Sequence, residues 1–242
     1  MISAFYNARS GAIAQEEAMR VISNNLANVS TTAFKEERMG FCDLLYTNLN
    51  RPENENDPMR AGNGVRSQQV AVNFNPSGVQ NTGMPFDFAI LDRGFFAVQN
   101  AVTGDVTYTR DGSFRIMLSD EGDYLTNAQG DFVLDAEGEP IMLDEEMMKS
   151  PTLEDLNLGV FDFVNPYGLM KIGDNQYIET AQSGTAEVME NPQLKQSYLE
   201  NSGVEVATEM ARVIETQRAF QYSARIVQLA DELDQTINNL RR

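Results

Sequence analysis

A pair of apolar seams, one at each end and both with the repeat of a coiled coil, constrains this chain more than any other feature. In the first, Phe5, Ala8, Ala12, Gln15, Met19, Ile22, Leu26 and Val29 follow one another at alternating steps of three and four residues, a heptad seam with one polar rung. In the second, Val206, Met210, Val213, Gln217 and Phe220 lead through Ala224 and Val227 to Ile226, Leu229, Leu233, Ile237 and Leu240. This seam drifts backward around its helix, as a heptad repeat does on an α-helix, and predicts supercoiling. The two seams are expected to belong together and to join the chain to copies of itself or to partners.

Composition narrows the functional classes. The 242 residues hold no histidine, which removes the commonest general base and metal ligand, and a single cysteine, Cys42, which excludes an internal disulfide. The formal net charge is −18, unevenly spread: residues 1–38 carry four acidic and four basic side chains, and residues 201–242 carry six and five. Residues 39–200 therefore hold 26 acidic against 9 basic groups, so the ends are neutral enough to pack closely while the middle repels its like. No basic stripe suggests nucleic acid as a partner. No apolar run reaches the roughly 18 residues of a membrane span. Met1–Arg9 lacks the basic and apolar regions of a secretory signal, so export is expected by another route.

Between the seams the texture turns to β. Asp111-Gly112, Glu121-Gly122, Gln129-Gly130 and Glu137-Gly138 recur between short apolar runs, the rhythm of a hairpin meander. Further strands are expected at 86–91, 95–99, 159–164, 169–172 and 177–180. The proline-bounded, polar stretch Arg51–Pro58 and the glycines of 61–64 read as loop or linker. The expected fold is α+β: a terminal helical domain of residues 1–35 and 201–242, an extended linker over 36–84, and an inserted, mainly antiparallel β domain over 85–200.

Chemical readings of individual residues are weak. Asp111, Asp120–Asp123 and Asp135–Glu139 have carboxylates but not the spaced ligands of a calcium loop, and are expected as turns. Carboxylate pairs such as Asp120 and Asp123 suit glycoside hydrolysis in principle but arise by chance in so acidic a chain. Cys42 is expected as a small buried or interfacial residue. Gln15 and Gln217 either set the register of their seams or reach to the rim. No catalytic, cofactor or metal site is expected, and the chain reads as no enzyme.

Several motifs resemble a known family. Ile22-Ser-Asn-Asn-Leu-Ala-Asn-Val-Ser-Thr-Thr-Ala-Phe-Lys35 resembles the N-terminal signature of the bacterial flagellar axial proteins, the rod, hook and hook-associated group. Tyr198-Leu-Glu-Asn-Ser-Gly-Val-Glu-Val-Ala-Thr-Glu-Met210, Ile214–Phe220 and Asp231-Glu-Leu233 are similar to the matching C-terminal signature. Asp87–Ile90, Gly94–Val98, Tyr108-Thr-Arg-Asp-Gly-Ser-Phe114 and Phe163–Leu169 resemble segments of the rod and hook β domain. The chain departs from the pattern where Ala33 replaces a common Gly and Gly203 a common Asn. The resemblance implies a structural subunit of the basal-body rod, a self-polymer with other rod and hook proteins as neighbours, exported by the flagellar type III apparatus. The assembly interface is expected at Phe5, Met19, Ile22, Asn25, Leu26 and Asn28, and at Val206, Met210, Val213, Gln217, Phe220, Ile226, Leu233 and Ile237. The alternatives are a hook-class subunit and a glycan-binding β domain with oligomerising helices, which would need an acidic or aromatic cleft within 85–190.

Overall fold

The structure is a computed structural model that describes residues 2–48, 60–119, 122–144, 147 and 152–240. The chain divides into two compact units, one made of residues 1–27, 37–71 and 205–242 and the other of 28–36 and 72–204. Arg51–Pro58 lies outside the described residues.

The first unit is helical with a small β element. Helix α1 spans Ile2–Ala27. It is rich in alanine and lacks proline, so propensity and the apolar period act together. Strands β1 (Glu37–Asp43) and β4 (Val65–Val72) pair, and between them β2 (Tyr46–Asn48) and β3 (Arg60–Gly62) form an antiparallel pair with Tyr46 opposite Gly62. Paired strands thus occupy part of the segment expected as extended linker.

The second unit is β-rich. Its strands are β5 (Val79–Asn81), β6 (Phe88–Ile90), β7 (Phe95–Gln99), β8 (Val106–Thr109), β9 (Arg115–Ser119), β10 (Gly122–Thr126), β11 (Phe132–Val133) and β12 (Met142–Leu143). After the single-turn helix α2 (Leu153–Leu156) come β13 (Val160–Asp162), β14 (Met170–Gly173), β15 (Gln176–Ile178), β16 (Glu187–Val188), β17 (Leu194–Gln196) and β18 (Tyr198–Glu200). Helix α3, Val206–Leu240, returns the chain to the first unit. The main sheet runs β12-β10-β11-β7-β8-β15-β14, with β9 added to β10 and β13 to β7, through antiparallel pairs. Strand β7 lies at its centre. Its run Phe95-Phe-Ala-Val is buried on both faces, so successive side chains serve two cores. Phe96 and Val98 join Phe88, Phe114, Leu125 and Val133, while Phe95 and Ala97 join Tyr108, Phe163 and Tyr177. The rings of the second core meet edge to face, as with Tyr108 and Phe163 at 4.9 Å between centroids.

The glycine-bearing turns behave differently from one another. Gln129-Gly130 and Glu137-Gly138 close hairpin-like pairings, with Thr126 opposite Phe132 and Leu134 opposite Pro140. Ser119 pairs with Gly122 across a tip, Asp120-Glu121, that lies outside the described residues. Asp111-Gly112 is not a hairpin turn. Strand β8 pairs with β7 and β15 and β9 with β10, so the chain passes there between strands that do not pair with each other. Gly112 is needed because its backbone meets β6: its carbonyl accepts the Phe88 N–H at 3.0 Å, and an added Cβ would fall 1.8 Å from the Phe88 oxygen.

Candidate assembly interface

The terminal helices pack on each other, but not along the large apolar seams. Asn25 Nδ2 donates to Glu209 Oε2 at 3.3 Å, and a Cβ on Gly11 would stand 3.3 Å from Ser223 Oγ. These contacts lie fourteen residues apart on each helix and run in opposite senses, so α1 and α3 are antiparallel in one register. The residues withdrawn from water between them are Ala8, Ala14, Ala18, Ile22 and Asn25 on α1, and Glu209, Thr216 and Ala230 on α3. Small side chains let the helices approach closely, and their packing stripe lies beside the expected seam, sharing only Ala8 and Ile22 with it. Asn25 is fully buried and clamps β1 with both ends of its amide: Nδ2 donates to the Glu37 carbonyl at 2.8 Å and Oδ1 accepts the Glu37 N–H at 3.0 Å. Glu209 also takes Arg212 Nη1 at 2.5 Å.

The expected interface residues separate by helix. On α1, Ile22 and Asn25 are buried in the pair, while Phe5, Met19 and Leu26 are half-buried. Asn28 belongs to the β-rich unit, where its carbonyl accepts Ser202 Oγ at 3.0 Å and its Oδ1 accepts Thr31 Oγ1 at 3.2 Å. On α3, Val213 is half-buried, but Val206, Met210, Gln217, Phe220, Ile226, Leu233 and Ile237 are exposed. Leu229 is 56% exposed and Leu240 is 82% exposed, so exposed apolar residues continue to the end of the helix, although at about 100° per residue those from Ile226 onward lie on the opposite flank from Val206, Met210 and Phe220. The chain itself covers little of either flank.

Three residues that pattern analysis passed over meet in the β-rich unit. Glu200 Oε1 accepts Lys35 Nζ at 2.7 Å, and Oε2 accepts Arg110 Nε at 2.9 Å, all three side chains being buried. Ser77 N–H donates to the same carboxylate at 2.7 Å, and Lys35 Nζ also donates to the Asn75 carbonyl. Arg110 spends its remaining donors on the carbonyls of Gly94, Ile90 and Asp92. Burial pushes the Lys35 ammonium down to about 8, against the pull of Glu200 and with help from the Arg110 charge. Each member comes from a different quoted motif, Lys35 closing the first, Glu200 opening the C-terminal one and Arg110 standing in the middle one. Around this node the Ala33 N–H bonds to the Glu200 carbonyl and the Gly203 N–H to the Phe34 carbonyl. Ala33, where the resembling family commonly has Gly, sits at φ 53°, the left-handed region that Gly adopts most easily.

The chemical alternatives find little footing. Asp135 Oδ1 accepts the N–H groups of Glu137 and Glu139, and Asp111 Oδ1 that of Ser113, so these carboxylates cap their own turns. Among the described residues no cluster of acidic or thiol groups is arranged to hold a metal. A cavity of about 300 Å³ in the β-rich unit is lined by Phe74, Phe95, Phe163 and Tyr167 with Arg93 and Arg110, an aromatic recess of the sort a glycan binder uses. Its one carboxylate, Asp162, accepts the Phe163 N–H at 2.8 Å, and the lining lacks the carboxylate pair of a glycosidase. Cys42 is half-buried on β1, its sulfur 3.1 Å from Arg66 Nε, in a polar contact rather than the apolar setting expected.

Comparison with known proteins agrees with this layout. Residues 5–35 match the family described as flagella basal body rod protein, residues 89–156 the flagellar hook protein FlgE/F/G D1 domain, and residues 195–240 the flagellar basal body rod FlgEFG protein C-terminal family. The chain is 36% identical to the flagellar basal-body rod protein FlgG of Borreliella burgdorferi, with all of both chains covered. It is 30% identical to FlgG of Bacillus subtilis, again over the full length of both. It is also 31% identical to the flagellar basal-body rod protein FlgF of Caulobacter vibrioides, over 98% of this chain and 96% of that one. Among the described residues no helix is long and apolar enough to cross a membrane. With helices at both ends, a β-rich insertion between them and full-length likeness to these proteins, the chain belongs to the flagellar basal-body rod protein family, the structural subunits of the basal-body rod.

Proposed function

We propose that the chain builds the rod by polymerising with copies of itself and with other rod and hook proteins through the apolar stripe of α3, and that it does so without catalysis. The observation that carries this is that the two stretches of the stripe, Val206, Met210 and Phe220 on one flank of the helix and Ile226, Leu229, Leu233, Ile237 and Leu240 on the other, are both exposed. Covering the remaining exposed half of each such side chain contributes about 1 kcal/mol, and only many together offset the roughly 4–15 kcal/mol lost on association. Ile22 and Asn25, buried between α1 and α3, hold the helix pair that presents the stripe; Phe5, Met19 and Leu26 widen it. The near-neutral ends suit close packing of many copies, and the acidic middle stays solvated. Under this reading the helices of 1–35 and 201–242 form one layer of the polymer, the β-rich 85–200 another, with 36–84 joining them. Torque passes along the rod because both layers are loaded together. Export through the flagellar type III apparatus fits the family.

Leu233→Asp is the direct test. A carboxylate in a packed seam costs several kcal/mol without a partner, and the cost recurs at every copy. Cells carrying Leu233→Asp are expected to lack rods and motility, whereas Asp123→Ala and Glu137→Ala cells assemble both. Motile Leu233→Asp cells with immotile turn variants would overturn the reading.

A further inference from the structure

Because α1 and α3 run antiparallel in a fixed register, their lengths leave a remainder. With Asn25 beside Glu209 and Gly11 beside Ser223, the first turn of α1 falls opposite the residues just past Ala230. Among the described residues α1 offers no rung opposite the last residues of α3, and every residue from Asp231 to Leu240 is exposed. This overhang carries Leu233, Ile237 and Leu240 on one side, at steps of four and three.

Elsewhere in the same unit is a groove of about 360 Å³ between α1, β1 and α3. Ala18, Ile22, Thr216 and Ala219 line it from the helices, Met39 and Phe41 from β1. The lining runs from Gln15 to Ile22 on α1 and from Arg212 to Ala219 on α3, seven residue steps each, or about 10 Å of helix. Leu233 to Leu240 spans the same distance. The charged groups on the groove, Glu37, Arg38, Arg212 and Glu215, sum to zero, so it does not repel the acidic Asp231, Glu232 and Asp234. The middle of the chain, with 26 acidic and 9 basic side chains, does.

We infer that this groove receives the α3 overhang of a second copy of the chain, Leu233 and Ile237 seated over Ala18, Thr216 and Ala219. The inference rests on the assembly reading above and adds its receiving surface. Groove and overhang are different patches of one molecule, so the contact is heterologous and each bound copy leaves a free groove at one end and a free overhang at the other; the chain of contacts stays open and grows as a filament.

The test uses two full-length variants that disable one patch each. Ala219→Trp fills the groove; Leu233→Asp spoils the overhang. Sedimentation is measured at concentrations where the wild type forms filaments, with circular dichroism to verify that each variant keeps its helices. Each variant alone is expected to remain monomeric. Mixed, they have one intact groove and one intact overhang, and are expected to form a one-to-one dimer that grows no further. Ala18→Trp, filling the groove from α1, behaves as Ala219→Trp does. A mixture that stays monomeric, or filaments from either groove variant, overturns the groove while leaving the stripe standing. Filaments from Leu233→Asp, or a wild type that never assembles, overturn the assembly reading with it. Co-sedimentation of the wild type only with a different rod protein assigns the groove to that partner and overturns the self-contact.

Discussion

In the β-rich unit Phe88, Phe96, Leu125, Val133 and Tyr177 are all but sealed from water, whereas in the helical unit the sealed apolar residues are four alanines and one isoleucine, and Met210, Leu229 and Leu233 stay about half exposed. Both units have apolar side chains in plenty. One spends them on its own interior and the other holds them outward. Polar groups are enclosed in both: the β-rich unit holds the triad of Lys35, Arg110 and Glu200, and the helical unit holds Glu209 with Asn25 and Arg212, while its exposed pair, Arg20 with Glu16, is a solvated i,i+4 contact of little consequence. The difference separates a part that encloses its large apolar side chains from a part that leaves them exposed.

The sharpest way to break this contrast is to damage the triad. Glu200→Leu leaves Lys35 and Arg110 buried without their anion and is expected to destabilise the β-rich unit by about 3–5 kcal/mol, read from urea unfolding by circular dichroism. Replacing all three with Met, Met and Leu is expected to recover most of that loss. Some remains, because Ser77 N–H and the carbonyls held by Arg110 lose their partners. A single Glu200→Leu variant as stable as the wild type would show that the triad is not sealed.

Truncation sharpens the boundary between the units. A fragment of residues 28–204 retains Lys35, Glu200 and the strand pairing around them, and is expected to unfold cooperatively. A fragment beginning at residue 36 has lost Lys35 and the Ala33 and Phe34 backbone bonds, and is expected to be at least about 3 kcal/mol less stable. Equal midpoints for the two would place the boundary at 36 instead.

The depressed Lys35 ammonium gives a pH dependence of defined sign. Its folded value of about 8 lies below its ordinary 10.5, so between those pH values the unfolded chain binds more protons and the wild type gains stability as pH rises. Measured against Lys35→Met, the wild type is expected to gain on the order of 2–3 kcal/mol between pH 7 and pH 10.5, with no comparable trend below pH 7. A difference that is flat or falls across this window would contradict the desolvated ammonium.

The smallest effect is expected at Ala33. Ala33→Gly relieves the left-handed backbone, worth about 1–2 kcal/mol, but gives up a buried methyl of about 0.8 kcal/mol and adds about 0.5–1 kcal/mol of unfolded-chain freedom. The terms nearly cancel, and thermal unfolding should move by no more than a degree or two.

The helices were legible because a three-four rhythm sustained over many turns has few other meanings, and the strand at 95–99 because a run of four apolar residues between glycine and turn signals is short for a helix. The packing face of the helices was not. Ala14, Ala18, Thr216 and Ser223 carry almost no hydrophobic signal, and neighbouring larger side chains carry a strong one; the apolar pattern points to the side chains with the most oil, which here are those the chain leaves exposed. The triad was hidden for a related reason. Lys, Arg and Glu are read as surface residues from sequence, and the partnership of Lys35 and Arg110 with Glu200, over separations of 165 and 90 positions, leaves no local mark, although each sat inside a motif already singled out. Asp111-Gly112 was misread as a hairpin because a glycine needed for close backbone approach looks the same as one needed for a turn.

The two backbone bonds that tie residues 33 and 34 to residues 200 and 203 have an evolutionary consequence. They bring the start and the finish of the inserted segment side by side, so the interval between them can lengthen, shorten or be exchanged while both junctions remain where they are. A lineage that keeps Lys35, Glu200 and their surroundings is free to vary the bulk and character of everything those residues bracket, and the terminal helices need not change in step.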